Sequence, residues 1–231
     1  AALLERSEIV LACRLQHRGR CREVADLLNE VVDSLSICLT PTPERPVRRY
    51  FDGTFGRGGH YRELIHKFPT MVATVMDQDM TAIEFAHDQF KPLVQNKQLE
   101  IIHGNFADFK LHCHGTYDAI LLDLGVSSPQ LDEKSRGFSF YDNGPLDMRM
   151  NQGEDLTAAH IVNTYSEDAL LQIFHRLGEI SHPGRVVRAI LKDRTEKAFV
   201  STEQLAGLIE RVDGWKTKGF HPATQYFMAL R

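Results

Sequence analysis

Asp52-Gly-Thr-Phe-Gly-Arg-Gly-Gly-His60 closes one apolar stretch, and Asp77 closes the next. Glycine adopts positive φ freely and lets backbone approach a ligand, so a turn carrying Gly53, Gly56, Gly58 and Gly59 can aim amide N–H groups from a helix start. Asp77 follows that turn by about 20 residues, the offset at which an acidic side chain meets a ribose hydroxyl in a βαβ unit. Together they read as a pocket for a nucleoside-bearing cofactor. The order of the glycines narrows the ligand. A dinucleotide fingerprint runs G-x-G-x-x-G, whereas here the order is Gly53-x-x-Gly56-x-Gly58-Gly59 and the position three past Gly58 is Tyr61. A pyrophosphate is therefore disfavoured, and an adenosine ribose without phosphates, as in S-adenosylmethionine, is favoured. The competing reading is a Gly-rich turn between strand and helix that binds nothing.

Working outward, residues 49–53, 71–77, 99–103 and 117–124 are short apolar runs that each end at a polar residue or glycine. They suit strands buried on both faces. Residues 60–68 and 80–95 read as the helices between them, so the fold class is α/β with a parallel sheet and ligands at the carboxyl ends of its strands. Asp52, Asp77, Asn105 and Asp123 all fall at or just past such ends. Residues 126–156 are loop-like, and 157–213 read as helices. There Leu170, Phe174 and Leu177 form one stripe, and Leu205, Leu208, Ile209 and Val212 form another behind the S-x-x-Q box of Ser201 and Gln204. The expected organisation is an unassigned segment 1–26, a core over 27–127, an inserted helical substrate module over 128–219 and a return to the core over 220–231. With four strand candidates, the sheet is expected to be incomplete at the C-terminal end.

The 231 residues are 42% hydrophobic and carry a net charge of −4. That composition supports a buried core and carries no overall nucleic-acid signature, so RNA contact requires a local basic patch. No apolar run approaches the ~20 residues of a membrane span and no secretory signal opens the chain, which leads us to expect a soluble, cytoplasmic protein. Cys13, Cys21, Cys38 and Cys113 form no C-x-x-C pair, and the histidines lack metal-ligand spacing; no metal site is expected.

Seven segments resemble the ribosomal RNA small subunit methyltransferase H family: 52–60, 77–79, 103–106, Leu122-Asp-Leu-Gly-Val-Ser-Ser-Pro-Gln-Leu-Asp132, Arg136-Gly-Phe-Ser-Phe140, Gly144-Pro-Leu-Asp-Met-Arg-Met150 and His221-Pro-Ala-Thr224. The likeness covers about residues 27–231. It implies a Rossmann-like class I methyltransferase core with an inserted all-helical domain. The implied activity is methyl transfer from S-adenosylmethionine to the N4 amine of a decoding-region cytosine, the partner being small-subunit ribosomal RNA in an assembled or nearly assembled subunit. Carried over by position, it implies that Gly58, Gly59 and His60 line the methionine side, Asp77 takes the ribose diol, Phe106 covers the adenine, and Asp123 and Gln130 complete the pocket. For Phe106 the competing reading is a core residue.

The acceptor amine is a poor nucleophile, so the enzyme must align it and accept its hydrogens. The loop after the 117–124 strand suits that work, and Ser127, Ser128 and the nearby Asp147 are the candidates. The serines read equally well as turn residues bonding their own backbone. Cytosine C5 methylation needs a cysteine nucleophile, and Cys113 precedes its strand, at the opposite edge of the sheet from that loop. Arg149 is a candidate for a phosphate or a base, and Arg185, Arg188 and Lys192, with Arg194 and Lys197 close by, make a basic helix face for RNA backbone. A solvated face is the competing reading, since Asp193 and Glu196 sit among them. The chain departs from the family at Gly178-Glu-Ile-Ser-His-Pro-Gly184, where Pro183 interrupts a helix, and over residues 1–26. The alternatives to a methyltransferase of RNA are a nucleotide- or RNA-binding module without catalysis and an amine methyltransferase acting on protein.

Overall fold

The computed structural model describes residues 8–10, 21–215 and 221–231, with side chains from residue 28 onward. The chain divides into two compact units, residues 1–125 and 126–231. In the first, β1 (Glu8–Val10), α1 (Cys21–Leu39), β2 (Arg49–Asp52), α2 (Gly59–Lys67), β3 (Val72–Asp77), α3 (Met80–Gln89), α4 (Lys91–Gln95), β4 (Leu99–His103), α5 (Phe109–His112) and β5 (Ala119–Leu121) follow in order. The five strands are all parallel in the order β1-β5-β2-β3-β4. From β2 the chain steps outward through β3 to β4 and then crosses back to place β5 on the other side of β2. That reversal opens a crevice at the carboxyl ends of β2 and β5, where α/β sheets receive their ligands.

Side chains alternate between two packed faces, as period-2 strands require. Tyr50, Ala73, Val75, Ala119 and Leu121 point to a core shared with Val31, Leu35 and Leu39 of α1, Tyr61 and Leu64 of α2 and Ala86 of α3. Phe51, Met76 and Ile120 point the other way, to Cys113 and Tyr117, with Phe106, Phe109 and Leu122 packed against them. The expected strands over 49–53, 71–77 and 99–103 are present as β2, β3 and β4.

Three expectations are corrected. The helix expected over 80–95 is two helices broken at Phe90 (φ −114°, ψ 20°). Pro92 has no N–H to donate and its ring crowds the carbonyl one turn back, so α3 cannot run on. The strand expected over 117–124 is only β5: before it the Asp118 carboxylate accepts the Arg49 N–H (2.8 Å) and pairs with Arg45 and Arg48, and after it the Asp123 N–H goes to Thr54 Oγ1 (2.7 Å) rather than to a neighbouring strand. The sheet also has β1 and the first unit has α1, in a region left without elements. Residues 1–7 and 11–20 of the expected unassigned segment lie outside the described residues.

The second unit is helical: α6 (Ser128–Asp132), α7 (Ala158–Thr164), α8 (Glu167–Arg176), α9 (Gly184–Glu196), α10 (Thr202–Asp213) and α11 (Ala223–Leu230). Leu170, Phe174, Val187, Ile190, Leu205, Leu208, Ile209, Tyr226 and Phe227 form its core. Ser201 and Gln204 cap α10 reciprocally, and Pro183 stands immediately before α9. Leu177, expected in the α8 stripe, is 65% exposed. It is the C-cap residue, and Ile180 folds back in its place with its N–H on the Phe174 carbonyl. The segment expected to return to the core, 220–231, forms α11 from Ala223 onward and packs on α8. No helix of the described residues is long and apolar enough to cross a membrane.

Candidate functional site

The glycine turn leaves β2 with the Gly53 N–H on the Leu121 carbonyl (3.0 Å) and holds Gly56 and Gly58 at φ 55° and 65°. Gly58 is the N-cap of α2, with no side chain capping it. A Cβ on Gly58 would lie 2.5 Å from Phe55 Cζ, whereas one on Gly59 would meet nothing within 4 Å. The turn is therefore packed beneath and open above, at a helix N-terminus that favours negative charge and lone pairs. His60, the second residue of α2, lies in the helix's first turn.

Asp77 is joined to this turn directly. Its Oδ2 accepts the Gly56 N–H (2.7 Å) and its Oδ1 the Asp79 N–H (2.9 Å). A carboxylate has about four acceptor positions, and the Gln78 amide also stabilises this one, so part of its acceptor capacity is left for a hydroxyl donor. Burial raises its pKa, opposed by those amides. Phe106 is half-buried, with its Cβ 2.9 Å from where a Gly53 Cβ would sit, so side-chain bulk is excluded between them.

Sequence reasoning passed over Asp52 and Thr54 as site residues. Asp52 is 2% exposed; its Oδ2 accepts the Tyr50 hydroxyl (3.1 Å) and its Oδ1 the Thr54 N–H (3.1 Å). Thr54 Oγ1 accepts the Asp123 N–H (2.7 Å), which ties the ends of β2 and β5 together. The Asp123 Oδ1 and Tyr61 hydroxyl are buried with no hydrogen-bond partner among the described residues. Burial first, and then the neighbouring Asp77 and Asp123 carboxylates, push Asp52 up to about 7. The signal available in the sequence was the alignment of Asp52, Asp77 and Asp123 at three strand ends. These carboxylates, the glycine turn and Phe106 thus share the rim where the strand order reverses.

The remaining candidates belong to the second unit. Ser127 is the N-cap of α6 in a capping box, with the Ser127 N–H on Gln130 Oε1 (2.9 Å), and Gln130 is buried. Ser128 begins the helix and is exposed. Asp147 and Arg149 form a bidentate pair, Nε to Oδ1 at 2.8 Å and Nη2 to Oδ2 at 2.7 Å, which holds the Asp147 carboxyl below the usual carboxylate range. Arg185, Arg188 and Lys192 are exposed along α9. Arg194 instead turns inward to the Val162 and Tyr165 carbonyls (3.0 and 2.8 Å), and Asp193 pairs with Arg211 of α10. Among the described residues no group of three or more His, Cys, Asp or Glu is arranged to hold a metal ion.

Residues 21–231 match the model of the MraW methylase family. The chain belongs to that family. The match to the MraW methylase model begins at Cys21, six residues before the likeness read from the motifs. A Bdellovibrio bacteriovorus protein named ribosomal RNA small subunit methyltransferase H is 60% identical over 191 residues, 83% of this chain and 58% of that protein. Proteins of the same name from Legionella pneumophila (strain Corby) and Rhizobium johnstonii are each 42% identical, over 79% and 92% of this chain and 60% of each relative. The chain thus spans about three fifths of the length of these MraW methylase relatives. Its Rossmann-like core agrees with the fold class expected from sequence.

Proposed function

We propose that this chain carries the cofactor and RNA sites of an enzyme that moves a methyl group from S-adenosylmethionine to the N4 amine of a cytosine in small-subunit ribosomal RNA. The observation that carries the reading is the union of Asp77 with the glycine turn through the Gly56 N–H, at the rim where the strand order reverses. The relatives' shared name supports RNA as the substrate class; the N4 amine, the decoding region and an assembled subunit rest on the resemblance of the motifs.

The residues present fit the cofactor. The acceptor capacity left on Asp77 suits a ribose diol, the Asp123 Oδ1 lacks among the described residues a donor that a ligand would supply, and the space above Gly59 admits a chain beside Gly58 and His60. Phe106 offers a half-buried aromatic face for the adenine. Bound there, S-adenosylmethionine supplies an electrophilic methyl on sulfur. The chain's own part is to fix that group's orientation and hold the carboxylates in a mostly dry rim. Gln130 is a proposed cofactor contact on the resemblance of the motifs alone. On the acceptor side Ser127, Ser128 and Asp147 are the proposed contacts to the amine, and Arg149, Arg185, Arg188 and Lys192 the proposed contacts to RNA.

Asp77→Ala is expected to weaken S-adenosylmethionine binding about 100-fold in isothermal titration, since two hydrogen bonds to a charged group are lost. Asp77→Asn keeps one oxygen for the turn amides and should still bind about 10-fold more weakly while melting near the parent temperature. Unchanged affinity in both variants refutes the ribose contact. Digestion of methyl-labelled RNA to nucleosides separates N4-methylcytidine from other products, and label in protein would move the substrate class.

A further inference from the structure

Five rings from three stretches of the second unit converge. Phe140 meets Phe227 of α11 edge-on at 5.0 Å and lies against Tyr141 and His221 at 4.7 and 4.6 Å, with interplanar angles of 40° and 35°. His221 in turn touches Trp215 at 5.0 Å and Tyr141 at 5.9 Å. The inner end of the cluster is buried at Phe227, but Tyr141 is 78% and Trp215 54% exposed. Two large rings held in water on a buried aromatic footing form an exposed apolar surface of the kind that marks a binding site.

The rings are also fixed in place. The Trp215 indole N–H donates to Glu210 Oε1 at 2.6 Å, and His221 Nδ1 accepts the Ala223 N–H at 3.1 Å, which leaves its proton on Nε2 when the ring is neutral. Rings ordered before binding lose little entropy on binding. Positive charge begins beside them: the Arg185 guanidinium donates to the Val212 carbonyl (2.8 Å), three residues before Trp215, and Arg188 and Lys192 follow on α9. The nearby Glu210 and Asp213 carboxylates accept from the neutral Trp215 and Tyr226 donors, which fixes their positions and leaves their charge, against the three positive charges of Arg185, Arg188 and Lys192. Flat aromatic faces beside a basic track are the two ingredients of single-strand binding, with bases stacked on rings and phosphates held by cations.

We propose that Tyr141, Trp215 and His221 form a stacking platform for unstacked bases of single-stranded RNA, whose backbone runs along Arg185, Arg188 and Lys192. The proposal deepens the RNA reading above and rests on it.

Trp215 is the chain's single tryptophan, so its emission reports stacking directly. The test titrates the whole chain with an end-labelled single-stranded oligoribonucleotide of about 12 nucleotides, following tryptophan emission and label anisotropy together. Binding should quench Trp215, and a duplex of the same sequence should quench it less at equal occupancy. Tyr141→Ala should bind at least about 5-fold more weakly, Tyr141→Phe should bind as the parent does, and Arg188→Ala should flatten the salt dependence. Both side chains are exposed, and circular dichroism confirms the fold of each variant. Binding that leaves Trp215 emission unchanged, or a Tyr141→Ala variant that binds as tightly as the parent, overturns the platform. Methyl transfer is scored separately with a full-length relative: quenching in this chain without transfer by that relative keeps the platform and removes the methyltransferase reading.

Discussion

Gly137→Ala should destabilise the second unit by about 2 to 5 kcal/mol, measured as the shift in its urea unfolding midpoint by circular dichroism. Gly137 sits at φ 71°, where a side chain costs about 1–2 kcal/mol. Its Cβ would also fall 2.0 Å from the Pro145 carbonyl oxygen and 3.1 Å from the Asp147 nitrogen. Those are backbone atoms, so nothing at the end of a flexible side chain can swing aside, and forcing them apart adds about 1–3 kcal/mol. Domains carry about 5–15 kcal/mol in total, so this loss consumes much of the margin. Gly207, in the interior of α10, is the control: a Cβ there meets nothing within 4 Å, and Gly207→Ala should stabilise by about 0.5–1 kcal/mol. Equal midpoints for the two variants would mean the two loops do not approach as described.

The same approach explains why the segments around 136–140 and 144–150 stand out in the sequence without forming regular structure. Arg136 is buried and donates through Nη2 to the Arg149 and Met150 carbonyls (3.1 and 3.0 Å), while the Met148 N–H returns to the Arg136 carbonyl (3.0 Å). A Gly144 Cβ would fall 2.0 Å from the Lys134 carbonyl oxygen. The two loops are clasped backbone to backbone, and a buried guanidinium satisfies carbonyls that no helix or strand takes up. Motifs read as carriers of function thus also hold the second unit's entrance in shape.

The parallel sheet was readable because β2 and β3 are interior strands whose two packed faces demand short apolar runs, because the edge strand β4 keeps a short apolar run of its own, and because Gly53 and Gly104 follow β2 and β4. α10 was readable for the same local reason, since its stripe and its capping box lie within one helix. What escaped reading depends on partners distant in the chain. Asp52 looked like the end of a strand; its burial beneath the packed strand ends, and then the Asp77 and Asp123 carboxylates brought in by β3 and β5, make it an acid that ionises late. Asp147 and Arg149, two residues apart, would point to different sides of a helix, and they meet in a loop where Met148 takes φ 62°. Tyr141, Trp215 and His221 come together from both sides of α7 to α10. Phe90, by contrast, was a missed local signal, since Pro92 alone announces the break.

Asp52→Asn should raise the melting temperature above neutral pH by several degrees and remove a pH dependence that the parent shows between about pH 4 and 7. The sign follows from the raised pKa. In the unfolded chain Asp52 ionises near 3.8, and in the fold near 7. Below pH 4 it is protonated in both states and costs nothing. Between the two values the unfolded state alone releases its proton, so stability falls as pH rises, and it levels off above the folded value. Carrying an acid across that interval corresponds to about 4 kcal/mol at most, large against the whole stability of a domain. Asparagine suits the site: its oxygen keeps the Thr54 N–H, and its amide can donate to the Tyr50 hydroxyl oxygen, which accepts as readily as it donates. Thermal melts of parent and variant at pH 4, 6 and 8 decide it, with the gap expected to widen at each step. A gap that stays constant across that range would show that the Asp52 carboxyl ionises in the fold as it does in water, and that the rim is wetter than its packing indicates.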